Sequence, residues 1–579
     1  MNLIDWLIVI LLNGSIIVYG IRLSRGVKSS ADWFLAGRSL PWWLVGISMY
    51  ATAIDASDLV ADSGGTYRLG LSYFVTNWVG IVGGWLLGAF VIYPSIYRAG
   101  MYTNAEYLEA RFSPSVRVLC ALIQVQYRTL VLAIIATTLY LTLSIVCDWG
   151  TEAWWAVAAI AALATVYTAL GGLKSVAVTD SLQFGVMTVA GLIIWSLVWN
   201  ETGGWDGIRQ RLQDHQSGLA DELLQVQYDN VQLQDVRDTD RAAIERHLIT
   251  GGTYDASTGM ITRRTPGWLV ALAFIIVGVA YSIVNHTQTM RMFASRSEWD
   301  MKMSVWVAAA AMLVMSFFNL SMGVMGRALF PDVGDLPHGA ADSVYPHLVN
   351  QFSITGLKGI VVAGVLAASF STFDSIGSTL SALLTRDVYA RLFVRSRDDK
   401  HYMRVGQLFT PLIIAGSFLY VPFMKGGMLL FYLDLTSTFV IPLLTLFLMG
   451  ALTRVHSCTG LIGLLAGAGY GVMRLLAAPV AEWHGIQILP AAMTNSFAAY
   501  VFSILVTAGT MVVASLFLGW APKGNLSHVE QPGWLRTSQL ALRQLEVEDD
   551  QTAASDGAPL LLAIISVAIG CWLSFVVFW

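Results

Sequence analysis

The chain has 579 residues, of which 56% are hydrophobic and only 12% charged, whereas soluble domains carry about a quarter of charged residues. With a mean hydropathy of +0.62, that composition excludes a soluble protein and defines an integral membrane protein. The formal net charge of −4 excludes little; the placement of the charges is what informs.

Apolar runs of membrane-crossing length, roughly twenty residues for about 30 Å of hydrocarbon, recur near residues 3–23, 41–62, 72–96, 114–147, 153–171, 177–199, 267–290, 303–327, 355–385, 405–423, 427–452, 457–477, 495–518 and 558–578. The expected fold class is an all-α polytopic membrane protein of about fourteen transmembrane helices. Alternating barrel segments of about ten residues are not evident in the sequence. The first run lacks the basic start and small-residue cleavage site of a removable signal, so it reads as a retained span.

The second run is the unusual one, because Asp55, Asp58 and Asp62 lie inside or at the end of it. A carboxylate at bilayer depth costs at least about 2.5 kcal/mol and normally faces a water- or ion-filled cavity. Gly46 and Ser48 precede these acids, and Ser63, Gly64 and Gly65 follow them. A segment that unwinds here while presenting oxygen ligands is what a transporter's discontinuous helix requires. Asp55 and Asp58, spaced i and i+3, reach one side if that half is helical.

Further along, Arg25, Lys28 and Arg38 follow the first span, Arg98 and Arg111 the third, Arg291, Arg296 and Lys302 the seventh, and a dense cluster from Arg386 to Arg404 the ninth. By the positive-inside rule these loops face inward and both termini outward. Residues 200–266 and the inner loop 519–557 read as solvated connectors, the first with a short amphipathic helix near Trp205–Leu212. Spans two to six and seven to eleven are two sets of five that enter from opposite sides, the hydropathy pattern of an inverted repeat whose first helices are broken. The organisation expected is an N-terminal extra helix with its basic loop (1–40), a first repeat (41–199), an outer loop (200–266), a second repeat (267–453) and C-terminal extra helices (454–579). In the second repeat Gly278 is the expected interruption, with Asn285, His286 and Gln288 near the inner end. Cys120, Cys147, Cys458 and Cys571 are scattered and form neither a disulfide framework nor a metal motif. The sequence shows no nucleophile–base pair, P-loop or zinc signature, so no enzyme is expected.

Four phrases, DWFLAGRSLPWWLVGISM (Asp32–Met49), GMYTNAEYLEARF (Gly100–Phe112), YTALGGLKSVAVTDSLQ (Tyr167–Gln183) and STLSALLTRDVYARL (Ser378–Leu392), resemble hallmark segments of the sodium/solute symporter family and occur in its order. The resemblance covers roughly residues 1 to 520 and points to the sodium/sugar cotransporter-like branch. It implies Na+ as the coupling ion, bound by the carbonyls of Ala51, Ile54 and Ala368 and the hydroxyls of Ser371 and Thr372. Five oxygens without formal charge suit a monovalent hard cation. It further implies that Asp180 adjoins this site or helps form a second sodium site; Asp374, three residues beyond Ser371, lies near enough to add a ligand. Tyr281 matches an aromatic inner gate.

The substrate set departs from that of sugar transporters, whose Gln, Glu, Asn and Lys positions hold Asp58, Asn77, Gly278 and Met312 here. Arg128, inside the apolar run of span four, is a second buried ionisable group. Acids on one wall and a guanidinium on another suit a zwitterion, the arginine gripping a carboxylate in bidentate fashion. A polyhydroxylated solute would instead bond to Asp58 and Asn77. An internal Asp–Arg pair, or Arg128 snorkelling to the inner surface, is the competing expectation. The function expected is sodium-coupled import of a small polar organic solute, zwitterionic or amine-bearing, with a sugar or polyol cotransporter and a solute sensor as alternatives. The substrate-binding residues expected are Asp55, Asp58, Asn77, Arg128 and Tyr281. The partners expected are the solute, sodium and the lipid bilayer, with no nucleic acid, and the location a plasma membrane, bacterial by its compact loops.

Overall fold

The computed structural model describes residues 1–27, 29–226, 253–255, 260–262, 266–423, 428–484, 486–521, 531–549 and 556–579. Among these, the regular structure is helical apart from a hairpin of two short strands, Thr253–Asp255 and Met260–Thr262.

Among the described residues, twelve helices are long and apolar enough to cross a membrane, beginning with α1 (Leu3–Ser24). A bent pair, α2 (Trp42–Ala53) and α3 (Ala56–Leu69), adds another passage, with a 52° turn between its halves. The chain continues through α4 (Thr76–Arg98), the short α5 (Asn104–Arg111) and α6 (Pro114–Val146) into α7 (Ala153–Thr202), 50 residues long. Gly172 interrupts α7 with φ +61° and ψ 179°. Tyr167 and Thr179 would lie about 18 Å apart in a straight helix, yet both close on Gly20 of α1. The chain therefore doubles back at Gly172. By length and composition the described residues give twelve spans, or thirteen with the bent pair, and the turn at Gly172 divides α7 into two arms.

Both repeats open on a broken helix, but the breaks are not where the glycines suggest. In the first, Ile54 and Asp55 turn extended, with φ −111° and −117°. The Asp55 carboxylate accepts the Ser57 N–H at 2.7 Å, while Asp58 Oδ2 accepts the Asp55 N–H at 2.6 Å. This reciprocal capping box satisfies amide groups that the new helix start leaves orphaned. Gly46 and Gly64 stay helical and serve close packing: a Cβ there would sit 2.6 Å from the Ser304 carbonyl and 2.3 Å from an Asp342 carboxylate oxygen. In the second repeat, α9 (Gly267–Val284) gives way at Asn285 to α10 (His286–Phe293), and Asn285 caps α10 through the Thr287 N–H at 3.1 Å. The interruption expected at Gly278 is thus corrected. Gly278 lies inside α9, where a Cβ would come within 2.3 Å of the Thr76 carbonyl of α4.

The broken pairs α2–α3 and α9–α10 pack with α4 and α11 (Glu298–Leu329) as one bundle. Around it stand α6, α7, α12 (Leu357–Phe393) and α13 (Asp399–Ser417), with α12 packed along α7 and almost wholly buried. The amphipathic helix expected near Trp205–Leu212 is α8 (Gly204–His215), which buries Ile208 and Leu212. Of the expected connector 519–557, residues 522–530 and 550–555 lie outside the described residues; Trp534–Asp549 form a helix that packs against the face bearing the basic loops, with Leu535 and Leu542 fully buried. Arg291 belongs to no exposed basic loop, for it is completely buried inside the bundle.

Candidate functional site

The break in the first repeat opens onto a small cavity lined by both charged and apolar side chains. Asp55, Asp58 and Asp62 descend one wall along α3. Thr76 and Asn77 come from a wide π-helical turn at the start of α4, Arg128 from the middle of α6 and Tyr281 from α9. The cavity extends from the break toward the end of α3 that meets Leu223 at Gly70, away from the basic face.

The five expected substrate residues are therefore brought together, and each already has a structural bond or contact. Asp55 and Asp58 cap α3, and the Ser57 hydroxyl also donates to Asp55. Asn77 Nδ2 donates to Ser316 Oγ at 3.2 Å. Tyr281 closes the floor: its hydroxyl donates to the Thr52 carbonyl at 3.4 Å and accepts from Gln288 Nε2 at 3.3 Å. Arg128 is 2% exposed, so it does not snorkel. Its guanidinium lies 5.7 Å from the Tyr281 ring and 5.8 Å from the Tyr127 ring, and its Nε and Nη2 find no hydrogen-bond acceptor. It forms no ion pair with Asp55 or Asp58, so the internal Asp–Arg pair is not seen either. Asp62 and Tyr73 complete the polar wall, Tyr73 donating to Asp62 at 2.9 Å. Asp62 had its signal in the apolar run; Tyr73 has none that separates it from a packed tyrosine.

Just below the break, two of the oxygens expected to hold sodium meet across the helices, Ser371 Oγ of α12 donating to the Ala51 carbonyl at 2.8 Å, whereas Thr372 Oγ1 bonds within its own helix to the Ala368 carbonyl at 3.2 Å. Ile54 follows the last residue of α2 with extended backbone, so its carbonyl leaves the helical ladder. Ala51, Ala368, Ser371 and Thr372 are 0% exposed and Ile54 2%. The donor set suits a small cation: hydroxyl and carbonyl oxygens with no net charge, between two helices that belong to different halves of the fold.

A buried polar network adjoins these oxygens. Asp180 Oδ2 accepts from Ser48 Oγ at 2.6 Å, from Thr52 Oγ1 at 3.3 Å and from Arg291 Nη2 at 2.9 Å. Arg291 also donates to Ser48 Oγ at 2.8 Å, to the Thr287 carbonyl at 2.8 Å and to Ser375. Asp374 accepts from Tyr167 at 2.5 Å and from Ser375 at 3.1 Å. Asp180 and Asp374 thus lie beside the expected sodium oxygens, but Asp180 is neutralised by an arginine that the sequence reading placed in a loop. The missed signal was the polar stretch Asn285–Gln288 just before Arg291, which reads as a span ending although it begins a second buried half-helix.

Two broken helices facing each other beside a polar cavity define a secondary transporter of the inverted-repeat class. The chain belongs to the sodium:solute symporter family, which it matches over residues 33–467. It is 24% identical over 561 residues to sodium/glucose cotransporter 4 of Danio rerio, covering 93% of this chain and 81% of that protein. It is 26% identical over 503 residues to the human sodium/myo-inositol cotransporter 2, covering 79% and 68%. In fold it is similar to a Na+-coupled sialic acid symporter solved in a substrate-bound, outward-open state, with a TM-score of 0.71 at 17% identity over 90% of this chain and all of that one. The protein is accordingly a multi-pass, sodium-coupled membrane symporter and not an enzyme.

Proposed function

We propose that the protein imports a small zwitterionic solute, one carrying a carboxylate and an ammonium group as amino acids do, together with sodium. The observation that carries this reading is Arg128, a buried guanidinium on the cavity wall with two nitrogens lacking acceptors. A buried charge left without a partner is strongly unfavourable, so the guanidinium calls for an anionic group that arrives with the solute. The N-terminus of α3 would ordinarily attract such an anion, but Asp55 and Asp58 occupy it. Their own charge instead attracts the solute's ammonium, and Tyr281 forms the floor. Sodium is held by Ala51, Ile54, Ala368, Ser371 and Thr372, so that its arrival orders the break beside the solute.

A sugar or polyol is the second reading, favoured by the relatives whose names specify glucose and myo-inositol. Asp58, Asn77 and Tyr73 are hydrogen-bond partners it would use. The deciding measurement is thermal stability of the purified protein against amino acids, other amines, sugars and polyols, in sodium and in potassium. A ligand that binds only the folded protein raises stability by mass action. The expected result is stabilisation by a zwitterion in sodium alone; stabilisation by a sugar and by no zwitterion would reject the proposal.

A further inference from the structure

The connection between the last two membrane helices forms α14 (Trp534–Asp549), which crosses the basic face, the cytoplasmic one by the positive-inside rule. Its first half is fastened to the surrounding frame. The Trp534 ring stacks on Tyr402 of α13 at 3.9 Å, and its Nε1 donates to Asp399 at 2.9 Å. Both terminal nitrogens of Arg386, at the end of α12, donate to Ser538 Oγ at 3.2 Å, and the guanidinium lies between the rings of Tyr102 and Trp534. Just ahead of α14, Gln531 accepts from Arg117 of α6 at 2.6 Å.

From Gln539 onward the helix is fastened to the bundle as well. Gln539 Nε2 and Arg543 Nε both donate to the carbonyl of Ala99, at 2.9 Å each. Ala99 is the residue that ends α4. Gly100, at φ +67°, lets the helix lie this close, since a Cβ there would sit 2.7 Å from the Gln539 carbonyl. One helix thus clasps frame and bundle across the cytoplasmic mouth, while the cavity extends the other way.

We propose that α14 is a cytoplasmic latch, whose bonds to the Ala99 carbonyl hold the inner mouth shut and must break before solute and sodium leave inward. A contact present in one conformation and lost in the other biases the equilibrium by its own free energy. The proposal goes beyond the solute reading and holds for any solute.

The chain carries its own reporter. Cys120 of α6 is fully buried and bonded to Gln124, which donates to Asn104 at 3.0 Å and accepts from the His286 N–H at 2.9 Å. This seam joins the frame to the second break and parts if the bundle tilts open inward. The test measures maleimide labelling of Cys120 in a chain whose other cysteines are serine, with and without Gln539→Ala plus Arg543→Ala. A second chain without Cys120 carries Ala61→Cys on the cavity wall. The expected result is labelling of Cys120 at least about tenfold faster, the shift for two state-specific hydrogen bonds, with slower labelling of Ala61→Cys. Unchanged Cys120 labelling would overturn the latch. So would faster labelling at both positions, which means a loosened fold. If the double variant fails to accumulate, Arg543→Ala alone is read by the same two criteria.

Discussion

On the zwitterion reading proposed above, substrate choice turns on Arg128. Its guanidinium lies within cation–π range of two tyrosine rings, with Nε and Nη2 left for an incoming group. Lysine at this position would keep the charge but not the planar fork. Arg128→Lys is therefore expected to raise the half-saturating concentration of a zwitterion by roughly 10- to 100-fold, the worth of a charge-assisted bond of about 1.5–3 kcal/mol, with sodium binding unchanged. Asp58→Asn isolates the other pole, because asparagine keeps an acceptor for the Asp55 N–H and so preserves the cap. Competition uptake in proteoliposomes should show amine-bearing solutes weakened and neutral ones spared; equal losses would remove the ammonium from the assignment. Both residues were legible in the sequence, since a charge inside an apolar run has few other uses. Arg291 was not, because its burial depends on Asp180, 111 positions earlier, and no local pattern encodes that pairing.

At the scale of elements, the pairing of Asp180 with Arg291 ties α7 to the second half of the second broken helix, directly beside the Ser48 and Thr52 hydroxyls of α2. Removing one partner of a buried pair leaves an uncompensated charge and costs about 3–5 kcal/mol, whereas replacing both with groups of similar volume is often neutral. Asp180→Asn alone should thus lower the unfolding midpoint sharply, and Asp180→Asn with Arg291→Met should restore much of it, as read by thermal unfolding in detergent. A double variant no more stable than the single one would show that the pair is not what holds these elements. The breaks themselves show what sequence pattern can and cannot supply. Five consecutive helices repeated in opposite orientation were legible from hydropathy, and so was the presence of a break near the acids. Its position was not, because glycine has two uses in membrane helices: it permits unwinding, and it lets helices approach closely. Gly46, Gly64 and Gly278 all take the second use, while Asp55 and Asn285 terminate helices by capping the ones that follow. The capping box Asp55–Asp58 was visible only as a pair of buried acids.

For the whole molecule, coupling requires that sodium and solute each raise the other's affinity by the same factor. The geometry offers a route, because Thr52 touches both sides: its carbonyl accepts from the Tyr281 floor of the cavity, and its hydroxyl joins the network beside Ala51 and Ser371. An ion that fixes Ala51 against α12 therefore also fixes the floor on which the solute rests. The accumulation that such coupling sustains is bounded by the driving force. One sodium ion crossing ~100 mV supplies about 2.3 kcal/mol, and a tenfold gradient adds about 1.4 kcal/mol. Together these sustain roughly 500-fold accumulation of a solute with no net charge. Proteoliposomes with an imposed potential and sodium gradient should approach this ratio and not pass it if the five oxygens hold the only coupled ion. A ratio well above it would require a second ion, for which Asp180 and Asp374 are the carboxylates beside these oxygens. Ser371→Ala with Thr372→Ala removes two of the five oxygens and should abolish sodium-driven accumulation while the solute still equilibrates. If sodium stimulation survived that double change, the ion would have to bind elsewhere, and the link through Thr52 would lose its role.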